Sequence, residues 1–426
     1  MIKKIKKKVL ESQYSRFILQ LAAGSMLAQA ITIIVAPITT RLYTPKELGV
    51  YTMLLTIITI FGPILNGKYD LSIVSAKDEK EVIELMYGGF LFSLIFLFFI
   101  TVGYSFYLAY NPEIYNDLGI FSYLIIGILL ITSFINIFTG YNNRHKQYKV
   151  ISSVYVVRTF IQNVFLVLFG FLKAGSIGLL VSQLLGSLFG LKKQSKPFAK
   201  HKTLLKDISF KRIRNTLYTY RNQPLYSLPA HFANSTSYSI LNFFISGLFG
   251  LSALGYYSMS YRILGLPLSL ISLNVSKVFF QRASEDARKH GDYSKILIKT
   301  TIFLSSIALP MSLVLIFIGP FIFELVFGDN WSKAGIFVQI LAPMYGIRLV
   351  VSALTPALII SNKQKLELII QGSFIICSIF SYILSKYMAL DIYGFLTLIS
   401  ITYSIIYVIF YINIYKLSKG NIESSQ

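Results

Sequence analysis

Apolar stretches of about 20 residues, each bounded by charge, glycine or proline, recur along the whole chain, and that repetition decides what it can fold into. A stretch of this length crosses a hydrocarbon core as one helix, and in that core only elements that satisfy their own backbone N–H and C=O groups survive. About twelve such helices are predicted. They run at 17–40, 47–67, 86–110, 119–140, 150–172 and 174–191, then at 224–249, 253–276, 297–320, 334–361, 366–387 and 391–415. The composition agrees: 54% of the 426 residues are hydrophobic and 14% are charged, against about 25% charged in soluble domains.

The formal net charge of +22 would point to nucleic acid in a soluble protein, but its placement points elsewhere. With the amino terminus inside, the inner segments carry thirty Lys and Arg and the outer ones five: Arg41, Lys46, Lys173, Lys333 and Lys386. Positive residues are retained on the cytoplasmic side, so both termini are expected there, with no nucleic-acid partner. The basic start, 1–8, precedes an apolar run too long for a signal-peptide core and is read as part of a retained anchor. The layout divides into an N-terminal lobe (1–191, helices 1–6), a basic cytoplasmic linker (192–223) and a C-terminal lobe (224–426, helices 7–12). The single cysteine, Cys377, lies in an apolar run and supports neither a disulfide framework nor a metal cluster.

An internal repeat ties the halves together. Residues 41–53, RLYTPKELGVYTM, align with 247–259, GLFGLSALGYYSM, at a constant offset of 206, pairing Leu42 with Leu248, Leu48 with Leu254, Gly49 with Gly255, Tyr51 with Tyr257 and Met53 with Met259. Both copies fall in a tight outer turn leading into the second helix of a half. Six crossings return the chain to its starting side, so the expected fold is all-α, with two parallel six-helix lobes around a central cleft, a geometry suited to alternating access.

Ionisable residues inside spans are costly and mark function by default. Arg158, Arg262 and Arg348 lie within predicted helices, each with polar company four residues away: Gln162, Ser258 and Ser352. Snorkelling to an interface is the competing reading for Arg158 and Arg262. Arg348 is too deep for that. Arg16 reads as an interface anchor, and Arg41 and Lys46 as capping residues. Gln29, His231, Asn234 and Asn242 could line the same cleft or bond helix to helix. No Asp or Glu lies deep in a predicted span, so the cavity is expected to favour an anion, and arginine forks suit phosphate oxygens. Gly186 and Gly190 form a small-residue packing face. No P-loop, HExxH, GxSxG or dinucleotide pattern is present, so neither an enzymatic activity nor a cofactor or metal is expected.

The outer turn RLYTPKELGVY (41–51), with Arg41, Pro45 and Gly49, resembles the signature after the first helix of bacterial oligosaccharide flippases of the multidrug/oligosaccharidyl-lipid/polysaccharide exporter superfamily. LVFGDNW (325–331) and GYYSMSYR (255–262), which opens on Gly255, fit the same pattern. The resemblance implies a flippase in the bacterial inner membrane. It would move undecaprenyl-pyrophosphate-linked oligosaccharide repeat units to the outer leaflet for O-antigen, capsule or another surface polysaccharide. Membrane lipids and the pathway's polymerase and chain-length proteins would be its partners. Rival readings are a multidrug or small-molecule antiporter of the same superfamily, which should carry intramembrane carboxylates, a lipid II flippase, and a polymerase, which should carry a large outer loop.

Overall fold

The computed structural model describes residues 13–198, 209–361 and 363–419. The basic start, 3–8, and Lys200, Lys202 and Lys206 fall outside them, as does the side chain of Arg16. The structure is all-helical, 91% helix, with no strand among the described residues. The helices are α1 (Gln13–Leu42), α2 (Pro45–Phe61), α3 (Tyr69–Ser75), α4 (Glu79–Tyr110), α5 (Pro112–Leu118), α6 (Leu124–Arg144), α7 (Tyr148–Phe171), α8 (Gly175–Ser195) and α9 (Phe210–Thr219). There follow α10 (Leu228–Pro267), α11 (Leu273–His290), α12 (Ser294–Phe327), α13 (Ser332–Leu354), α14 (Ala357–Ile360), α15 (Gln364–Tyr387) and α16 (Ile392–Ser418).

Eleven stretches among the described residues are long and apolar enough to cross a membrane. One of them, Ser239–His290, has 52 residues, about 78 Å as a single helix and more than two core thicknesses. Gly250 interrupts it at φ 81° and ψ 174°, a conformation that only glycine adopts readily. The break falls between the seventh and eighth helices read from the sequence.

Several boundaries shift from the sequence reading, among them the ninth helix, which ends at Phe327 rather than 320, and two of the shifts have clear local causes. The second predicted helix stops at Phe61 rather than 67. Pro63 removes a donor, a 3₁₀ turn follows (Gly62–Ile64), and Gly67 (φ 59°) and Lys68 (φ 60°) are both left-handed. The third begins at Glu79 rather than 86, because Asp78 caps it by accepting the Glu81 N–H at 2.8 Å, with Glu79 and Glu81 at the positive end of the helix dipole. That charged first turn lies outside the apolar run that the hydropathy pattern reports.

The chain forms two compact units, Met1–Tyr43 with Met53–Ser239, and Thr44–Thr52 with Ile240–Gln426. In the first, the ends of α3, α4 and α6 enclose Tyr69, Ile73, Val82, Leu85, Ile137 and Tyr141, with Phe198, Leu217 and Tyr220 packed against them. There α1 and α7 run parallel in register. Gly24 faces Ser152 and Leu42 faces Gly170, the same offset of 128 residues at both ends. The Gly186–Gly190 face of α8 packs closely, since a Cβ at Gly186 would lie 2.8 Å from both the Arg158 carbonyl and the Gln162 Cβ. In the second unit, α13 and α16 bury Phe337, Val338, Leu341, Leu349, Phe395 and Leu396.

The repeat has a direct structural expression inside the second unit. Thr44, with Pro45 at the first helical position, starts α2 through a capping box. The Thr44 N–H and hydroxyl donate to Glu47 Oε2 at 2.7 and 2.9 Å, and the Glu47 N–H donates back to Thr44 Oγ1 at 3.3 Å. Gly250, 206 residues on, breaks α10 at the equivalent point. The two copies then pack against one another. A Cβ at Gly49 would overlap the Leu251 carbonyl, 2.6 Å from its carbon and 3.2 Å from Gly255 N. One at Gly255 would overlap the Pro45 carbonyl, 2.7 Å from its carbon and 3.1 Å from Gly49 N. Pro45 and Leu251 are themselves 206 apart, so the contact exchanges onto itself as a local two-fold would require.

Candidate functional site

The second unit sets one arginine among tyrosines. On α13, Tyr345 and Arg348 are three residues apart and share a face, and the half-buried guanidinium has its Cζ 5.3 Å from the Tyr345 ring centroid, within cation–π range. Its charge also bears on Tyr257 of α10 and Tyr403 of α16. Tyr257, Tyr345, Tyr403 and Tyr407 are buried. Tyr261 lies 6.1 Å from Tyr257 and 6.2 Å, edge to face, from Tyr345, joining α10 to α13 through their rings. The Tyr403 and Ser378 hydroxyls are bonded at 2.6 Å. Neither α10, α13 nor α16 contains an Asp or Glu. This neighbourhood therefore offers a fixed positive charge, phenolic donors and aromatic faces on helices without carboxylates, the chemistry that receives an anion carrying hydroxyls.

The serines four residues from two of the arginines also bond to backbone. Ser352 Oγ donates to the Arg348 carbonyl at 2.6 Å and pairs with Ser272 Oγ at 2.9 Å, so it holds the backbone of α13 against the start of α11. Ser258 Oγ likewise donates to the Gly255 carbonyl at 2.8 Å. Arg262 is half-buried, with Tyr51, the repeat partner of Tyr257, within reach of its charge.

Arg158, Gln29, His231, Asn234 and Arg41 belong to the first unit, and Pro45, Gly49 and Gly255 to the second. Arg158 lays its stem along Gly190, with Cβ 3.6 Å from where a glycine Cβ would stand. The α1–α7 register sets Gln29 level with it, and both are half-buried. His231 and Asn234 lie in the first turns of α10, within the helix predicted at 224–249, and both are exposed. Pro224 sits in the short π turn Gln223–Ser227 and Pro229 in the first turn of α10, so the α-helix itself starts at Leu228 within the predicted span. The turn residues are structural: Arg41 Nη1 donates to the Pro37 carbonyl at 3.2 Å, capping α1, while Pro45, Gly49 and Gly255 build the crossing described above.

Two features escaped the sequence reading. One is the tyrosine group: 257/261 and 403/407 are each four apart and so share a helix face. Lys68, counted with the solvated inner charges, is only 6% exposed. Its Nζ donates to the Pro63 carbonyl at 3.2 Å and lies 3.9 Å from Asp70 Oδ2. Burial pushes the Asp70 carboxyl up from its ordinary value, and the Lys68 ammonium pulls the other way. Beside this break Asn66 Nδ2 donates to Ser133 Oγ at 2.8 Å, which donates to Ser93 Oγ at 2.8 Å, while Asn136 Nδ2 donates to the Gly62 carbonyl at 2.9 Å. Glu84 is buried as well and accepts from the Thr216 hydroxyl at 2.6 Å. The signal for the break was the glycine preceding Lys68. Among the described residues no three His, Cys, Asp or Glu side chains are grouped to hold a metal ion.

Comparison with known proteins gives the architecture a family. An inward-facing multidrug resistance MATE family transporter of the MOP superfamily superposes with a TM-score of 0.70 at 14% identity, covering 93% of this chain and 95% of that one. The lipid II flippase MurJ in an inward closed conformation gives 0.68 at 17% identity over 94% and 89%. A MOP superfamily transporter from Pyrococcus furiosus, described as having a binding pocket of reversed polarity, gives 0.57 at 14% identity over 97% and 98%. At such identities the likeness shows the fold alone. No curated protein matches the sequence. The family profile for polysaccharide biosynthesis proteins matches residues 38–335, more than half of the chain and including both copies of the turn, and the protein belongs to that family.

Proposed function

We propose that the protein is a flippase that carries polyprenyl-pyrophosphate-linked oligosaccharide repeat units from the cytoplasmic to the outer leaflet of the bacterial inner membrane, by alternating access, for a surface polysaccharide. The observation that carries the reading is Arg348, set among Tyr257, Tyr345 and Tyr403 on helices without Asp or Glu. A guanidinium presents paired donors to phosphate oxygens, and phenols exchange hydrogen bonds with sugar hydroxyls. Family membership and the MOP-type fold support the same direction. The potential favours export of such a cargo, since moving one negative charge outward across 100 mV, inside negative, gains about 2.3 kcal/mol.

The fold likeness to MurJ sustains a second reading, a lipid II flippase, which differs in cargo and not in the chemistry asked of the arginine. The half-buried Asp70 and the buried Glu84 modify the case against a cation antiporter: both lie in the first unit, one beside Lys68 and one bonded to Thr216, while the helices around Arg348 stay free of acid. The test is complementation of a deletion strain, scoring surface polysaccharide and the lipid-linked intermediate. Wild type should restore polymer, and a normally expressed Arg348→Ala should strand the intermediate on the cytoplasmic side. A deletion that leaves polysaccharide intact but alters resistance to cationic compounds would favour the antiporter.

A further inference from the structure

The linker carries a surface outside the site around Arg348. Its last part folds as α9, a ten-residue helix with two faces of different chemistry. Ile213, Thr216, Leu217 and Tyr220, spaced i, i+3, i+4, i+7, turn inward onto α4. Leu217 fills the notch left by Gly88, the Thr216 hydroxyl donates to Glu84 Oε2 at 2.6 Å, and the Tyr220 hydroxyl donates to Glu81 Oε2 at 2.9 Å. The Tyr69 hydroxyl adds a bond to the Leu217 carbonyl at 3.2 Å. The helix is thus fastened along one side.

Its other side is exposed and ordered by type. Phe210, Arg214, Tyr218 and Arg221 follow at i, i+4, i+8 and i+11, alternating aromatic and cationic, with Lys211 and Arg212 beside them, and all six are exposed. Phe210 is 74% and Tyr218 68% exposed, and Arg221 Cζ stands 4.0 Å over the Tyr218 ring. Water alone gives no reason to present two large rings between guanidinium groups. Aromatic rings flanked by Lys and Arg are the composition of the membrane–water interface.

The depth of α9 agrees. Glu84 is the last charged residue of α4, and no charge follows through Tyr110. Phe90 to Tyr110 spans about 31 Å along the helix, one hydrocarbon core. Leu217 meets Gly88, just before that stretch, which sets α9 at headgroup level.

We infer that the outward face of α9 binds the anionic phospholipid headgroups of the leaflet on its side, with Phe210 and Tyr218 at the acyl boundary and Lys211, Arg212, Arg214 and Arg221 on phosphate oxygens. The test uses the full chain with Cys377→Ser and a fluorophore at Asn215→Cys, an exposed position, reconstituted with lipids spin-labelled at the headgroup. Quenching should be strong in vesicles with one part phosphatidylglycerol to two parts phosphatidylcholine. It should fall several-fold in pure phosphatidylcholine and in the variant Lys211→Gln, Arg212→Gln, Arg214→Gln, Arg221→Gln, where α9 stays at headgroup level but gathers no labelled lipid. The four substituted side chains are exposed, so the melting of this variant should match wild type. Equal quenching in both vesicles would overturn recognition of charge. Quenching that arises only on adding a polyprenyl pyrophosphate would also overturn it, assigning the face to that lipid instead.

Discussion

The exchange contact at Gly49 and Gly255 makes a quantitative prediction about substitutions that touch no cargo. A methyl group at either glycine lands on a backbone carbonyl of the facing helix, which cannot rotate away as a side chain could, so the two helices must separate. Overpacking of this kind costs about 1–3 kcal/mol, and a backbone obstacle sets it at the upper end, about 3 kcal/mol for Gly49→Ala or Gly255→Ala. Because the contact is its own image under the 206-residue offset, one separation relieves both clashes. The double variant should therefore cost about 3–4 kcal/mol rather than about 6, a coupling of about 2–3 kcal/mol. Unfolding of the purified protein in mixed micelles of increasing SDS fraction reads these differences. Gly103→Ala and Gly372→Ala serve as controls, since their added Cβ atoms meet nothing within 4 Å, and alanine at a helical glycine is neutral or stabilising by up to about 1 kcal/mol. Additive losses, or single variants as stable as the controls, would refute the reciprocal contact.

Other consequences can be checked one at a time. Tyr43→Phe removes the buried bond to the Leu166 carbonyl at 2.7 Å and should lower stability by about 1 kcal/mol in the same denaturation series. Glu47→Ala opens the capping box at the start of α2 and should cost about 1 kcal/mol, with faster amide exchange confined to Thr44–Glu47. At the start of α12 the Ser294 N–H, 2.6 Å from Asp292 Oδ1, holds that carboxyl below the usual carboxylate range. A depressed carboxyl stabilises above its unfolded-state value and loses that contribution as pH falls through its folded value, so protection of the Ser294 amide should weaken on acidification in wild type and be weak at every pH in Asp292→Ala.

The sequence carried the crossings because hydrophobic length is a local property, as Phe90 to Tyr110 illustrates. It carried the turn as well: Thr44, Pro45 and Glu47 spell out a capping box, and the matched glycines anticipate a special contact. What it could not carry depends on partners distant in sequence. Lys68 looks like any other inner-loop cation until two left-handed residues turn it toward the Pro63 carbonyl and Asp70. That Arg348 stands inside a spanning helix was legible from the hydropathy pattern, whereas the tyrosines around it come from three helices whose packing no single stretch encodes.

The central claim, that Arg348 handles the charged head of a lipid-linked sugar, is tested most directly in proteoliposomes. Fluorescent polyprenyl-pyrophosphate oligosaccharide is placed in one leaflet, and its appearance in the other is followed with a membrane-impermeant quencher. Losing a charge-assisted phosphate contact of about 1.5–3 kcal/mol should slow Arg348→Ala by about 10- to 100-fold, with Arg348→Lys between it and wild type and Gly103→Ala at the wild-type rate. Transfer by Arg348→Ala at the wild-type rate would contradict the account, as would a wild-type protein that moves a cationic drug and leaves the lipid-linked sugar in place.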